Sequence, residues 1–241
     1  MAGLLGNLNL YEWWFADISS AERLTIKTAL DGNPLGRRYS SLITGEVSDH
    51  YDTFVDGEII TVANKKRPTD LLTLIAGNLD QKRDFILILK LLNKAESVSE
   101  FAPLIDLHFL YLEFIRYYKN YPNGSLREEY LKKTVSISAQ TALEFKNEYK
   151  DIPLPYNLGI EGWYECLVEK QQFQEAVNLI AEARAQGWRL GNLEAEADNL
   201  GVKNGIHFEV PSTTNKYSFI EIENDPYLKV EYLLELIELD L

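Results

Sequence analysis

Apolar residues recur with a helical period between residues 160 and 183. A first stripe is formed by Ile160, Trp163 and Leu167, which are spaced at i, i+3 and i+7. A second stripe contains Phe173, Ala176, Val177, Ile180 and Ala183. The polar residues 169–172 separate the two stripes, so the pattern predicts two amphipathic helices joined by a short turn. Because such a pair leaves an apolar flank open to water, the pattern also predicts neighbouring helices.

Similar helical signals occur upstream. After Pro68, apolar residues recur with a helical period in two successive segments, which predicts a further pair of helices. Similar stripes predict helices over 104–118 and 125–149. Two sequences have the spacing of a capping box, in which a serine and a glutamate satisfy each other's backbone amides. They are Ser19–Glu22 and Ser125–Glu128. The chain is therefore predicted to be mainly all-α, with at least three antiparallel helix pairs over 68–185.

The second helices of these three pairs share a pattern at offsets 0, 3, 7 and 10. Its members are Phe85, Ile88, Leu92 and Ala95; Leu131, Thr134, Ser138 and Thr141; and Phe173, Ala176, Ile180 and Ala183. A large residue followed by smaller ones permits close helix crossing. On these residues, 160–183 resembles the tetratricopeptide repeat, although Tyr164 stands where that family usually has a small residue. The resemblance implies an α-solenoid, a right-handed array of helix pairs whose first helices line a concave binding surface.

The two ends of the chain differ from this pattern. Residues 37–67 mix β-branched residues with glycines and polar residues, which is typical of strands or of short irregular helices. Alternating residues over 208–222 predict a small β-hairpin, and Asp225-Pro226 predicts the start of a last helix. We therefore predict three parts: an N-terminal helical or irregular cap (1–67), helix-pair repeats (68–190) and a C-terminal cap with hairpin and helix (191–241).

The charge balance narrows the range of partners. The chain has 37 acidic and 24 basic residues, a net charge of -13. Such a charge repels phosphate backbones and anionic lipids, so we expect neither nucleic acid nor membrane as a partner.

The longest apolar run spans five residues, 85–89, far short of the roughly 20 needed to cross a bilayer. The single cysteine, Cys166, excludes an intrachain disulfide, and the N-terminus lacks a signal-peptide pattern. The expected location is the cytoplasm.

The familiar catalytic motifs are missing from the sequence. It contains no phosphate-binding glycine loop, no nucleophile elbow and no zinc-binding His-Glu-x-x-His sequence. We therefore expect a protein that is not an enzyme, with no catalytic residue, no metal and no cofactor. The alternative is a ligand-sensing or enzymatic site in 37–67 or at the hairpin. Its candidate residues are Asp49, His50, Asp52 and His207.

A binding face is predicted on the first helix of the best repeat. Glu161, Glu165 and Glu169 recur every four residues, away from the apolar stripe. The resemblance places that helix on the concave wall, and we expect Glu113 and Tyr117 of the preceding first helix to join it. The predicted function is to bind a protein or peptide, in particular one that carries Lys or Arg side chains. The remaining alternative is a self-associating scaffold, a homo-oligomer of this chain.

Overall fold

The computed structural model describes residues 5–6, 8–33, 67–121, 123–150 and 152–206. The chain divides into two compact units, Met1–Tyr130 and Leu131–Leu241. The main helices of the described residues are α1 (Tyr11–Asp17), α2 (Ser20–Asp31), α3 (Pro68–Gly77), α4 (Phe85–Ser97), α5 (Leu104–Asn120), α6 (Gly124–Glu148), α7 (Leu158–Glu169), α8 (Phe173–Gln186) and α9 (Leu193–Lys203). The mainly all-α prediction is confirmed for these residues.

Several predictions fall outside the described residues. They are the strands or short irregular helices expected in 37–66, the hairpin over 208–222 and the last helix that begins at Asp225-Pro226. The boundary between the two compact units lies within α6, at Tyr130 and Leu131. The three-part division at residues 67 and 190 stays a prediction.

In unit 1, α2 begins with the predicted capping box. The Glu22 amide donates to Ser19 Oγ (3.3 Å), and the Ser19 amide donates to the Glu22 carboxylate (2.7 Å). The same carboxylate accepts from Lys90 Nζ on α4 at 2.6 Å, and Lys90 also donates to the Asp17 carbonyl. This lysine therefore ties α4 to the junction between α1 and α2.

The aromatic run 13–15 is divided between the core and the surface. Trp14 is fully buried, whereas Phe15 is 40% exposed, with the Arg23 guanidinium 4.9 Å from its ring centroid. Trp13 is half-buried, and Lys94 Nζ lies 5.5 Å from its ring centroid. Long basic side chains can cover aromatic rings in this way while their charges stay in water. Trp14 is thus part of the core of unit 1.

Helices α3, α4 and α5 pack on one another. Pro68 occupies the first turn of α3, where its missing amide proton costs nothing. The preceding Arg67 donates from Nε and Nη2 to both carboxylate oxygens of Asp106, at 2.5 and 2.9 Å. Asp106 lies in the first turn of α5 and is 5% exposed. This two-pronged ion pair fixes the start of α3 against the start of α5.

The start of α6 differs from the prediction. The helix begins at Gly124, and its first turn is capped by Asn123, whose Oδ1 accepts from the Leu126 amide (3.4 Å). Ser125, the predicted cap, lies inside the helix and donates its hydroxyl to Asn123 Oδ1. Asparagine caps a helix as well as serine does, and its position two residues earlier adds a half-turn to the helix. The predicted capping box at Ser125–Glu128 is therefore wrong.

In unit 2, α7 packs on α8 and α8 packs on α9. Asn157 caps α7, because its Oδ1 accepts from the Gly159 and Ile160 amides at 3.0 and 3.2 Å. At the other end of the pair, Gly187 adopts a left-handed conformation (φ 92°) that ends α8. Such a conformation favours glycine, which has no β-carbon to clash. Both ends of the helix pair are thus set by local sequence.

The shared pattern of the second helices is also a pattern of burial. At offsets 3, 7 and 10 all nine residues are buried on α4, α6 and α8. At offset 0, Leu131 is buried, whereas Phe85 and Phe173 are half-buried. The three helices therefore present corresponding positions to their neighbours. Among the described residues, no helix combines the length and the apolar character that crossing a bilayer requires.

Candidate functional site

A group of acidic side chains in unit 2 surrounds Tyr156. The backbone at Tyr156 forms a single parallel bridge with Arg189, and the Arg189 amide donates to the Pro155 carbonyl at 3.4 Å. Gly191 lies beside the tyrosine ring, and a β-carbon added there would stand 3.4 Å from Cε2. Asn157, the next residue, caps α7. Tyr156 is therefore held where the chain enters α7 and where it leads into α9.

Three carboxylates act on the Tyr156 hydroxyl. The hydroxyl donates a hydrogen bond to Glu161, and Glu165 and Glu196 are close enough to disfavour a negative charge on it. Burial, followed by these three carboxylates, raises the pKa of Tyr156 well above its usual value of 10. Glu161 and Glu165 come from α7, whereas Glu196 comes from α9. The group of Tyr156, Glu161, Glu165 and Glu196 is called the acidic cluster below.

The carboxylates of α9 point in two directions. Glu194 and Asp198 pair with Arg184 of α8, with oxygens 2.9 and 3.6 Å from the guanidinium nitrogens. Glu196 lies between them in sequence and therefore on another side of the helix. It faces Tyr156 and also raises the pKa of Tyr164, for which burial is the larger cause. Two carboxylates of α9 thus hold the helix against α8, and the third belongs to the acidic cluster.

The inward face of α7 differs from the predicted stripe. Ile160, Tyr164 and Leu167 are each at most 6% exposed, whereas Trp163 is only half-buried. Lys132 and Lys170 place their Nζ atoms 5.1 and 5.4 Å from the Trp163 ring centroid. The prediction that Trp163 forms the buried stripe is wrong, because residues spaced i, i+4 and i+7 also share one helix face. Tyr164 takes the inward position.

Two of the predicted site residues lie in unit 1. Glu113 is 18% exposed, and its carboxylate pairs with Arg116 at 3.2 Å. A β-carbon added to Gly77 would come within 3.3 Å of that carboxylate, so the end of α3 covers it. Burial raises the pKa of Glu113. The side chain is held by its own unit and offers little surface.

Tyr117 is also largely covered. It is 5% exposed, and its ring centroid lies 5.2 Å from those of Tyr118 and Tyr121. Burial raises its pKa, with smaller contributions from the same two tyrosines. Tyr117 therefore belongs to the aromatic interior of unit 1. Its proposed role in binding stays a prediction.

The structure thus brings together some of the predicted residues and adds others. Glu161 accepts a hydrogen bond from Tyr156, and Glu165 acts on the same hydroxyl through its charge. Glu169 is exposed at the end of α7, on the same side by helical spacing. Sequence reasoning missed Tyr156 and Glu196. Glu196 is 35 residues from Glu161, so no helical period links the two. The inward position of Tyr164 did have a signal in the sequence, because this large residue stands where the tetratricopeptide repeat usually has a small, buried one.

The described residues offer carboxylates and a free thiol as possible ligands. None of the His, Cys, Asp and Glu side chains in these ranges form a group of three that could hold a metal ion. Cys166 is a half-buried free thiol on α7. The candidate metal or sensor residues Asp49, His50, Asp52 and His207 lie outside the described residues. Carboxylates beside aromatic rings are suited to ammonium and guanidinium groups, which they attract by charge and by cation–π contact.

Comparison with known proteins gives no relative. No family model matches the chain, and neither a curated protein nor a solved structure does.

Proposed function

We propose that this chain is a non-catalytic module that binds a protein or peptide, and that unit 2 receives a segment carrying Lys or Arg side chains at the acidic cluster. The observation that carries the proposal is that three carboxylates from two helices act on the Tyr156 hydroxyl: Glu161 by a hydrogen bond, and Glu165 and Glu196 through their charges. A cationic partner would be attracted by the charges of all three carboxylates.

Local charge pairing supports the same choice of surface. On α9, Glu194 and Asp198 already have Arg184 as their partner. Glu196 instead shares its surroundings with Tyr156 and two carboxylates of α7. Glu165 and Glu169 are exposed, so a partner can reach them from solvent. Their spacing of four residues costs the helix a few tenths of a kcal/mol per like-charged pair, which a basic partner would offset.

We propose further that the helix pairs form a tetratricopeptide-like α-solenoid in which α7 belongs to the concave wall. The corresponding buried positions on α4, α6 and α8 support this proposal. The predicted C-terminal hairpin is proposed as a cap of the array. The cytoplasm is the proposed location, since a lone cysteine suits a reducing compartment.

The proposal is tested by peptide-display selection on the full chain, with the triple variant Glu161→Gln, Glu165→Gln, Glu196→Gln as the counter-target. We expect enriched peptides to be rich in Lys and Arg and to bind the variant more weakly. Enrichment of acidic or purely apolar peptides would contradict the proposal. A thermal-shift panel of metals and metabolites tests the sensor alternative, and sedimentation at several concentrations tests the scaffold alternative.

A further inference from the structure

We draw no further inference here: the strongest candidate, the surface groove between α2 and the start of α4 that is lined by Thr25, Phe85 and Ile86, carries nothing because the structure does not show what covers it.

Discussion

Gly159 of α7 lies directly against Thr134 of α6. A β-carbon added to Gly159 would stand 2.3 Å from the Thr134 Cγ2 atom and 2.7 Å from its Cβ. Real β-carbons do not approach other atoms so closely, and Thr134 is fully buried. The missing side chain of Gly159 is therefore what lets the first turn of α7 meet α6 within unit 2.

The variant Gly159→Ala should destabilise the protein by about 1–3 kcal/mol, because the added methyl group overpacks this contact. Chemical denaturation measures the loss. Gly124→Ala is the matched control, since nothing lies within 4 Å of the β-carbon it adds. The double variant Gly159→Ala, Thr134→Ser should recover part of the loss, because it removes Cγ2. Equal stabilities for Gly159→Ala and Gly124→Ala would contradict the contact.

The variant Ala183→Leu should also cost about 1–3 kcal/mol, since Ala183 is 1% exposed on α8 and three added carbons have no space. The control Gln174→Leu on the same helix changes an exposed residue whose side-chain amide donates to the exposed Asn178. We expect its effect to stay within about 0.5 kcal/mol. Similar melting temperatures for the two variants would show that the buried face of α8 is wrongly assigned.

The Tyr130 hydroxyl should make unit 1 sensitive to alkali. It donates to Glu96 Oε2 at 2.9 Å, and Tyr130 is 6% exposed. Burial and Glu96 raise its pKa above the ordinary value of 10. A raised pKa means that the folded state holds the proton more tightly, so this contribution is complete below pH 10 and declines as the pH rises further.

The measurement is the free energy of unfolding from pH 8 to 11 for the wild type and Tyr130→Phe. The variant keeps the ring that stacks on Phe114, with centroids 4.1 Å apart, but loses the bond to Glu96. We expect it to be less stable by about 1.5–3 kcal/mol below pH 10, the usual range for a hydrogen bond to a charged group. The difference should shrink above pH 10. A stability difference between the two proteins that stays constant from pH 8 to 11 would contradict the raised pKa of Tyr130.

His108 should make the same unit sensitive to acid. It is fully buried on α5, and burial lowers its pKa from 6.5 to about 4. A lowered pKa means that the unfolded state binds the proton first. The contribution of neutral His108 to stability is therefore complete above pH 6.5 and is lost between pH 6.5 and 4. A shift of this size corresponds to about 3 kcal/mol. Unfolding curves for the wild type and His108→Gln at pH 7.5 and 4.5 test this, because the variant lacks the titrating group. Equal acid losses in both proteins would refute the prediction.

The sequence predicted the helices well because their signals are local. Periodic apolar residues and the Ser19–Glu22 box lie within a few residues of the structures that they specify. Local patterns failed where two residues suited the same role equally well. Asn123 and Ser125 could each cap α6, and Tyr164 and Trp163 could each take the inward position on α7. The acidic cluster was only half visible, since Glu161 and Glu165 share a helix but Glu196 and Tyr156 reach them through tertiary packing.

The central claim is that the acidic cluster attracts a basic partner. The most direct test is the association rate of a display-selected Lys- and Arg-rich peptide, measured by stopped-flow fluorescence at ionic strengths from about 0.02 to 0.5 M. The wild type is compared with Glu161→Gln, Glu165→Gln, Glu196→Gln and with Glu148→Gln, Glu175→Gln, Glu182→Gln, a control that changes the same number of charges at exposed positions.

We predict a fast, steeply salt-dependent association for the wild type and the control, because exposed charges are screened within about 10 Å at 0.1 M salt. The variant in the acidic cluster should associate more slowly at low salt and approach the wild type at high salt. Equal rates for the two triple variants at every ionic strength would place the binding site elsewhere and contradict the proposed function.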